Sequence, residues 1–242
     1  MRSSFVGAWP VLLLSVLMIG CRERPRNGAT APAAAGDSAA AAPAPPRHNV
    51  LFVGTSLTAG LGLPPDEAYP ALVQAKIDSA GLPFHVINAG VSGETSAGAL
   101  RRLDWLLRQP FDVLVLETGA NDMLRGQDVD STRANVQAIV QRVRRERPDA
   151  RLVLVGMLAL PNLGRDYAAH FDRIYPELAA RDDLVLIPFL LKGVAGEPSL
   201  NQADGVHPNE KGARIVAQNV WTVLAPVLRR EVASDSITPP KP

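Results

Sequence analysis

Five short apolar runs, separated by longer segments with helical spacing, constrain what this chain can fold into more than any other feature. The runs cover residues 49–53, 84–88, 112–116, 152–155 and 184–187. They are continuous rather than alternating, which marks strands buried on both faces. The intervening segments at 67–79, 96–107, 131–147, 165–180 and 209–229 read as helices. Val136, Ile139, Val140 and Val143 recur at helical spacing in the third of them, and Asp66 and Pro70 suit the entry to the first. Strand and helix in strict alternation predict an α/β fold with a parallel sheet covered by helices on both faces.

The ends of the chain read differently. Residues 1–20 carry one basic residue, Arg2, then an apolar core from Val11 to Ile19, which is a secretory signal pattern and is too short to favour a spanning helix. Leu17-Met18-Ile19-Gly20-Cys21 resembles a bacterial lipobox, and Cys21, the single cysteine of the 242 residues, is the expected lipidation site. Residues 21–47 are rich in Ala and Pro and read as a tether, and residues 231–242 as a flexible tail. The catalytic-sized unit is therefore 48–230, one domain. The formal charge is +1, and removing residues 1–20 leaves a neutral chain, with no basic patch that would suit nucleic acid. No metal-ligand spacing is present, so no metal is expected. The expected location is a bacterial cell envelope, as a membrane-anchored lipoprotein facing the periplasm or the exterior, working as a monomer.

Four islands carry the chemistry, each at a place where the chain must turn. They are Val53-Gly54-Thr55-Ser56-Leu57-Thr58, Asn88-Ala89-Gly90-Val91-Ser92-Gly93, Gly119-Ala120-Asn121-Asp122 and Asp204-Gly205-Val206-His207-Pro208. The first three follow the first three strands, and the fourth lies in the connection after the fifth, along the edge where open α/β sheets bind ligands. Ser56 alone would read as a helix cap. Beside a base it becomes a nucleophile. Of His48, His85, His170 and His207, only His207 has a carboxylate three residues earlier, Asp204, which suits an imidazole that must be oriented as a base. The Ser56 N–H, the Gly90 N–H and the Asn121 side-chain amide are the expected donors to a developing oxyanion.

These blocks resemble those of the SGNH hydrolases, also called the GDSL family, over most of residues 48–230. The chain is most similar to the subgroup of periplasmic multifunctional esterases acting as arylesterase, thioesterase and lysophospholipase. The resemblance implies a flavodoxin-like three-layer α/β/α fold around a central five-stranded parallel sheet, a Ser56–His207–Asp204 triad, oxyanion donors from Ser56, Gly90 and Asn121, and no cofactor. The segment from Leu158 to Gly164 matches the subgroup's substrate-side loop in position, which makes Leu160, Pro161 and Leu163 expected acyl contacts. One residue departs from the family: Thr55 stands where an aspartate is usual, so the turn keeps a hydrogen-bonding side chain without its charge. The implied activity is hydrolysis of carboxylic esters or thioesters of short or medium acyl chains, lysophospholipids among them. Deacetylation of an envelope glycan, and a non-catalytic domain that binds glycan or lipid, are the alternatives.

Overall fold

The computed structural model describes residues 48–235, and the expected signal segment, lipidation site and tether lie outside them. Five parallel strands form one sheet: β1 (His48–Gly54), β2 (Phe84–Gly90), β3 (Val113–Glu117), β4 (Arg151–Val155) and β5 (Val185–Ile187), in the order β2-β1-β3-β4-β5. The central strands β1 and β3 carry unbroken apolar runs because both faces are covered; Val50, Leu51, Phe52 and Val113 to Leu116 are all fully buried.

Helices cover both faces. On one, α2 (Tyr69–Ser79) packs against β2 and against α9 (Glu210–Asp235). On the other, α6 (Val129–Glu146) packs against α3 (Ser96–Arg101), α4 (Leu103–Leu107) and α7 (Arg165–Asp172), while α8 (Ile174–Arg181) meets β4 and β5. The apolar stripe read from the sequence is the buried face of α6, since Val136, Ile139, Val140 and Val143 are all essentially inaccessible. Each contributes on the order of 1.5–3 kcal/mol of transfer free energy. Asp128, not a residue inside the helix, caps α6 by accepting the Ser131 N–H at 2.7 Å.

Several expected elements differ at their ends. The helix expected at 67–79 begins at Tyr69, and no side chain caps it, so Asp66 has no capping role. The helix expected at 96–107 breaks at Arg102, and that at 165–180 breaks at Arg173. The last helix continues to Asp235, past the expected domain end at 230, with Pro226 inside it. Two short helices have no counterpart among the expected elements: α1 (Ser56–Ala59) and α5 (Ala120–Leu124), each a single turn after a strand.

Candidate active site

Ser56 is the first residue of α1, directly beyond the carboxyl end of β1. That position leaves its N–H without a carbonyl one turn earlier in the helix, so the group is available to a ligand. The side chain is nearly buried, with 8% of the residue exposed. Its Oγ lies 2.8 Å from His207 Nε2.

His207 sits in the connection between β5 and α9. Its Nδ1 is 2.7 Å from Asp204 Oδ2. The other carboxylate oxygen, Oδ1, accepts the N–H groups of Val206 at 2.9 Å and His207 at 3.0 Å. These contacts hold the Asp204 carboxyl down to about 2; the His207 N–H is the largest cause, followed by the His207 ring and the Val206 N–H. Asp204 is therefore ionised in ordinary buffers, and an ionised carboxylate can only accept. The proton between them then belongs to Nδ1, which leaves Nε2 as the acceptor for the Ser56 hydroxyl. An oriented base beside a hydroxyl is the arrangement that removes a proton from a nucleophile as it attacks.

A hollow of about 220 Å³ opens beside this pair, lined among others by Leu57, Leu61, Gly93, Asn121, Leu124 and Val206. Asn121, the second residue of α5, donates one Nδ2 hydrogen to the Glu94 carbonyl at 2.9 Å. The amide has a second hydrogen to offer the hollow. Glu94 is fixed in turn by Arg102, whose Nε and Nη2 each lie 2.7 Å from its carboxylate. A second, smaller crevice behind Ser56 and His207, lined by Tyr69, Leu191 and Val216, has a volume of about 10 Å³, room for about one water.

The structure thus brings Ser56, His207, Asp204 and Asn121 together, and it corrects two other expectations. Gly90 does not face the hollow. Its N–H is taken by its neighbour Asn88 Oδ1 at 2.9 Å, and a Cβ there would lie 2.3 Å from the Ala59 backbone nitrogen. Glycine is needed at 90 so that α1 can pack on the end of β2. Gly93 is the glycine of this block that lines the hollow. It sits in a turn closed by the Glu94 N–H on the Val91 carbonyl at 3.2 Å, at φ +77°, a value that favours glycine. No acceptor among the described residues takes its N–H. The second correction concerns Leu160, Pro161 and Leu163. They form a turn of 3₁₀ helix and its approach after β4, and they line neither hollow. The apolar walls come instead from Leu57, Leu61, Leu124 and Val206. Position gave a signal for two of these: Leu124 lies three residues after Asn121, and Val206 directly precedes His207.

Residues 52–215 match the GDSL-like Lipase/Acylhydrolase family. Among curated proteins, the chain is 39% identical over 182 residues to Esterase TesA of Pseudomonas aeruginosa, covering 75% of this chain and 90% of that protein. It is 36% identical over 184 residues to the Thioesterase 1/protease 1/lysophospholipase L1 of Escherichia coli, covering 75% of this chain and 86% of that protein. Among solved structures, that described as the crystal structure of TesA superposes with a TM-score of 0.70 at 38% identity, covering 74% of this chain and 99% of that one.

Proposed function

The chain belongs to the GDSL-like Lipase/Acylhydrolase family and is an ester hydrolase; from that premise we propose that Ser56, His207 and Asp204 are its catalytic triad and that it cleaves esters and thioesters of short or medium acyl chains. One observation carries the reading. Asp204 Oδ2, His207 Nδ1, His207 Nε2 and Ser56 Oγ form an unbroken chain, with 2.7 Å and 2.8 Å contacts, that ends at the mouth of an apolar hollow.

In this reading Ser56 Oγ attacks the ester carbonyl carbon as its proton passes to His207 Nε2. The carbonyl oxygen becomes an oxyanion that accepts from the Ser56 N–H, the Gly93 N–H and the free Asn121 Nδ2–H. Collapse breaks the bond to the leaving group, and the imidazolium returns the proton to that group. A water molecule then adds to the acyl-enzyme by the same route and releases the acid and free Ser56. Asp204, being ionised, stabilises the imidazolium at each stage.

The nature of the substrate follows from the rim. Most of the large apolar side chains exposed among the described residues, Leu61, Val91, Leu124, Leu158, Leu160 and Val206, stand at the carboxyl edge of the sheet, on loops or, for Leu124, at the end of α5. Such a rim suits an acyl chain rather than a glycan hydroxyl face. Chromogenic acyl esters of graded chain length test the proposal. Hydrolysis and fluorophosphonate labelling are both expected of the wild type and lost in Ser56→Ala; labelling of a different serine would overturn the assignment.

The location proposed for this enzyme is the cell envelope, held by lipid on Cys21 with residues 22–47 as a spacer. Two or more acyl chains on one cysteine anchor stably where one binds only marginally. Cys21→Ser is expected to move the protein out of the membrane fraction while the purified domain keeps its rate. A wild-type protein found soluble, with no lipid by mass spectrometry, would count against the anchor.

A further inference from the structure

Behind the nucleophile turn lies a carboxyl group that the triad does not use. Glu117, the last residue of β3, is completely buried. Its Oε2 lies 2.7 Å from the Thr55 backbone nitrogen and 2.9 Å from the Thr55 and Thr58 hydroxyls, and its Oε1 is 3.0 Å from Thr55 Oγ1. The Thr58 hydroxyl continues the chain to the Tyr69 phenol at 2.8 Å. Its direct partners come from α1 and the cap of α1, Tyr69 of α2 stands behind Thr58, and none is cationic. The titratable groups that face it are Tyr69 from α2 and Tyr175 from α8, both buried, with Asp122 and Asp172 beyond Tyr175.

We propose that Glu117 is the positioning residue of the Ser56 turn and that it works as a neutral carboxylic acid. Its role is to hold the backbone on either side of the nucleophile. One oxygen accepts the Thr55 N–H while the acid hydrogen is donated to a threonine hydroxyl, which fixes the cap residue Thr55 and the third residue of α1, Thr58, together. The Ser56 N–H is thereby left pointing out of the turn. Two physical reasons favour the neutral form. An isolated buried carboxylate without a cation is costly, and hydroxyl partners that both accept and donate suit an acid as well as an anion. A negative charge directly behind Ser56 would also oppose the charge that develops on its oxygen and on the oxyanion during attack. Burial pushes the Glu117 carboxyl up, and it outweighs the threonine hydrogen bonds that act the other way.

The inference rests on Ser56 as nucleophile, and its test keeps the two apart. Infrared spectroscopy of the full protein at pH 7 is expected to show the carbonyl band of a buried protonated carboxyl, absent from Glu117→Gln. The amide is the shape of the neutral acid, so Glu117→Gln is expected to keep a kcat near that of the wild type. Glu117→Ala frees the turn, and displacing the reacting atoms by about 1 Å lowers kcat on the order of a hundredfold. KM is expected to stay unchanged. Absence of the band at pH 7, or a Glu117→Gln enzyme as impaired in kcat as a charge-requiring site would be, overturns the proposal. Both readouts are available even if Glu117→Ala does not fold. The band reports on Glu117 whichever residue attacks, whereas an active Ser56→Ala enzyme would remove the nucleophile assignment alone.

Discussion

Replacing Asp204 by asparagine is expected to harm the enzyme more than replacing it by alanine. The reason lies in its second oxygen. Oδ1 accepts two backbone N–H groups, from Val206 and His207, while Oδ2 faces His207 Nδ1. An asparagine keeps its carbonyl oxygen on the two N–H donors, since turning the amide over forfeits two hydrogen bonds of about 1 kcal/mol each. That bias of about 2 kcal/mol holds the amide in one orientation about thirtyfold. The NH₂ group then faces Nδ1 and forces the ring proton to Nε2, where it blocks uptake of the Ser56 proton. Loss of the carboxylate removes in addition a charge-assisted bond, on the order of ten- to a hundredfold in rate. The product is a fall in kcat of about three hundred- to three thousandfold, somewhat below the roughly ten-thousandfold known for a buried triad aspartate. It is smaller here because the Asp204 side chain is 48% exposed and water reaches it. Alanine at 204 admits that water to Nδ1 and leaves the ring free to choose its tautomer; the exposed N–H groups of Val206 and His207 turn to water, so the loss at the ring is the charge-assisted bond alone. The assay is single-turnover hydrolysis of a chromogenic acetyl ester by both variants, with folding checked by circular dichroism. An asparagine variant as active as the alanine variant, or more so, would refute the tautomer reasoning.

Other expectations follow from the same geometry. Asn121→Ala is expected to lower kcat on the order of a hundred- to a thousandfold with little change in KM; a change in KM alone would make Asn121 a binding residue. Gly90→Ala sets a methyl against the backbone of Ala59 and Thr58 and is expected to cost about 1–3 kcal/mol, some 2–4 °C in Tm for each kcal/mol in a domain of this size, together with activity. An unchanged Tm would show that α1 does not depend on that contact. Thermal melts of the wild type and Glu117→Gln between pH 4 and 8 read the buried acid. A raised native pKa means the native state holds a proton that the unfolded chain releases above about 4.3, so the wild type loses stability relative to Glu117→Gln as pH rises from there to the native pKa. A gap that does not vary with pH would show that Glu117 does not titrate apart from its unfolded value.

The strands are legible because burial on both faces leaves an unbroken apolar signature; Ser56 and Asn121 are legible because they stand just past strand ends, and Asp204 and His207 through their three-residue spacing. The breaks at Arg102 and Arg173 are not, since apolar residues continue across both and only tertiary packing decides where one helix stops. The error over Gly90 has a similar source. The apolar run of the second strand ends at Asn88, which puts Gly90 in the loop, whereas pairing with β1 continues to Gly54↔Gly90. Counted from the true strand end, Gly93 is the glycine of the turn. Glu117 gave no sequence signal of its own as a polar residue at the end of an apolar run; its role exists only through Thr55 and Thr58, about sixty positions earlier.

The two halves of the site are moored differently. Ser56, Gly93 and Asn121 each follow one of three adjacent strands, whereas Asp204 and His207 ride on a strandless stretch. That stretch is held by the single bridge Asn201↔Pro208, by the Asn209 amide on Ser199 and Asn201, and by the Gln202 amide on the carbonyls of Leu61 and Pro208. Releasing one bridge and a few polar contacts requires far less free energy than melting a sheet. Warming should therefore disengage the histidine from the serine while the core is still intact. Activity is expected to fade at a temperature below the calorimetric transition and to return on cooling, so the working range of this enzyme is governed by its loosest loop rather than by its hydrophobic interior.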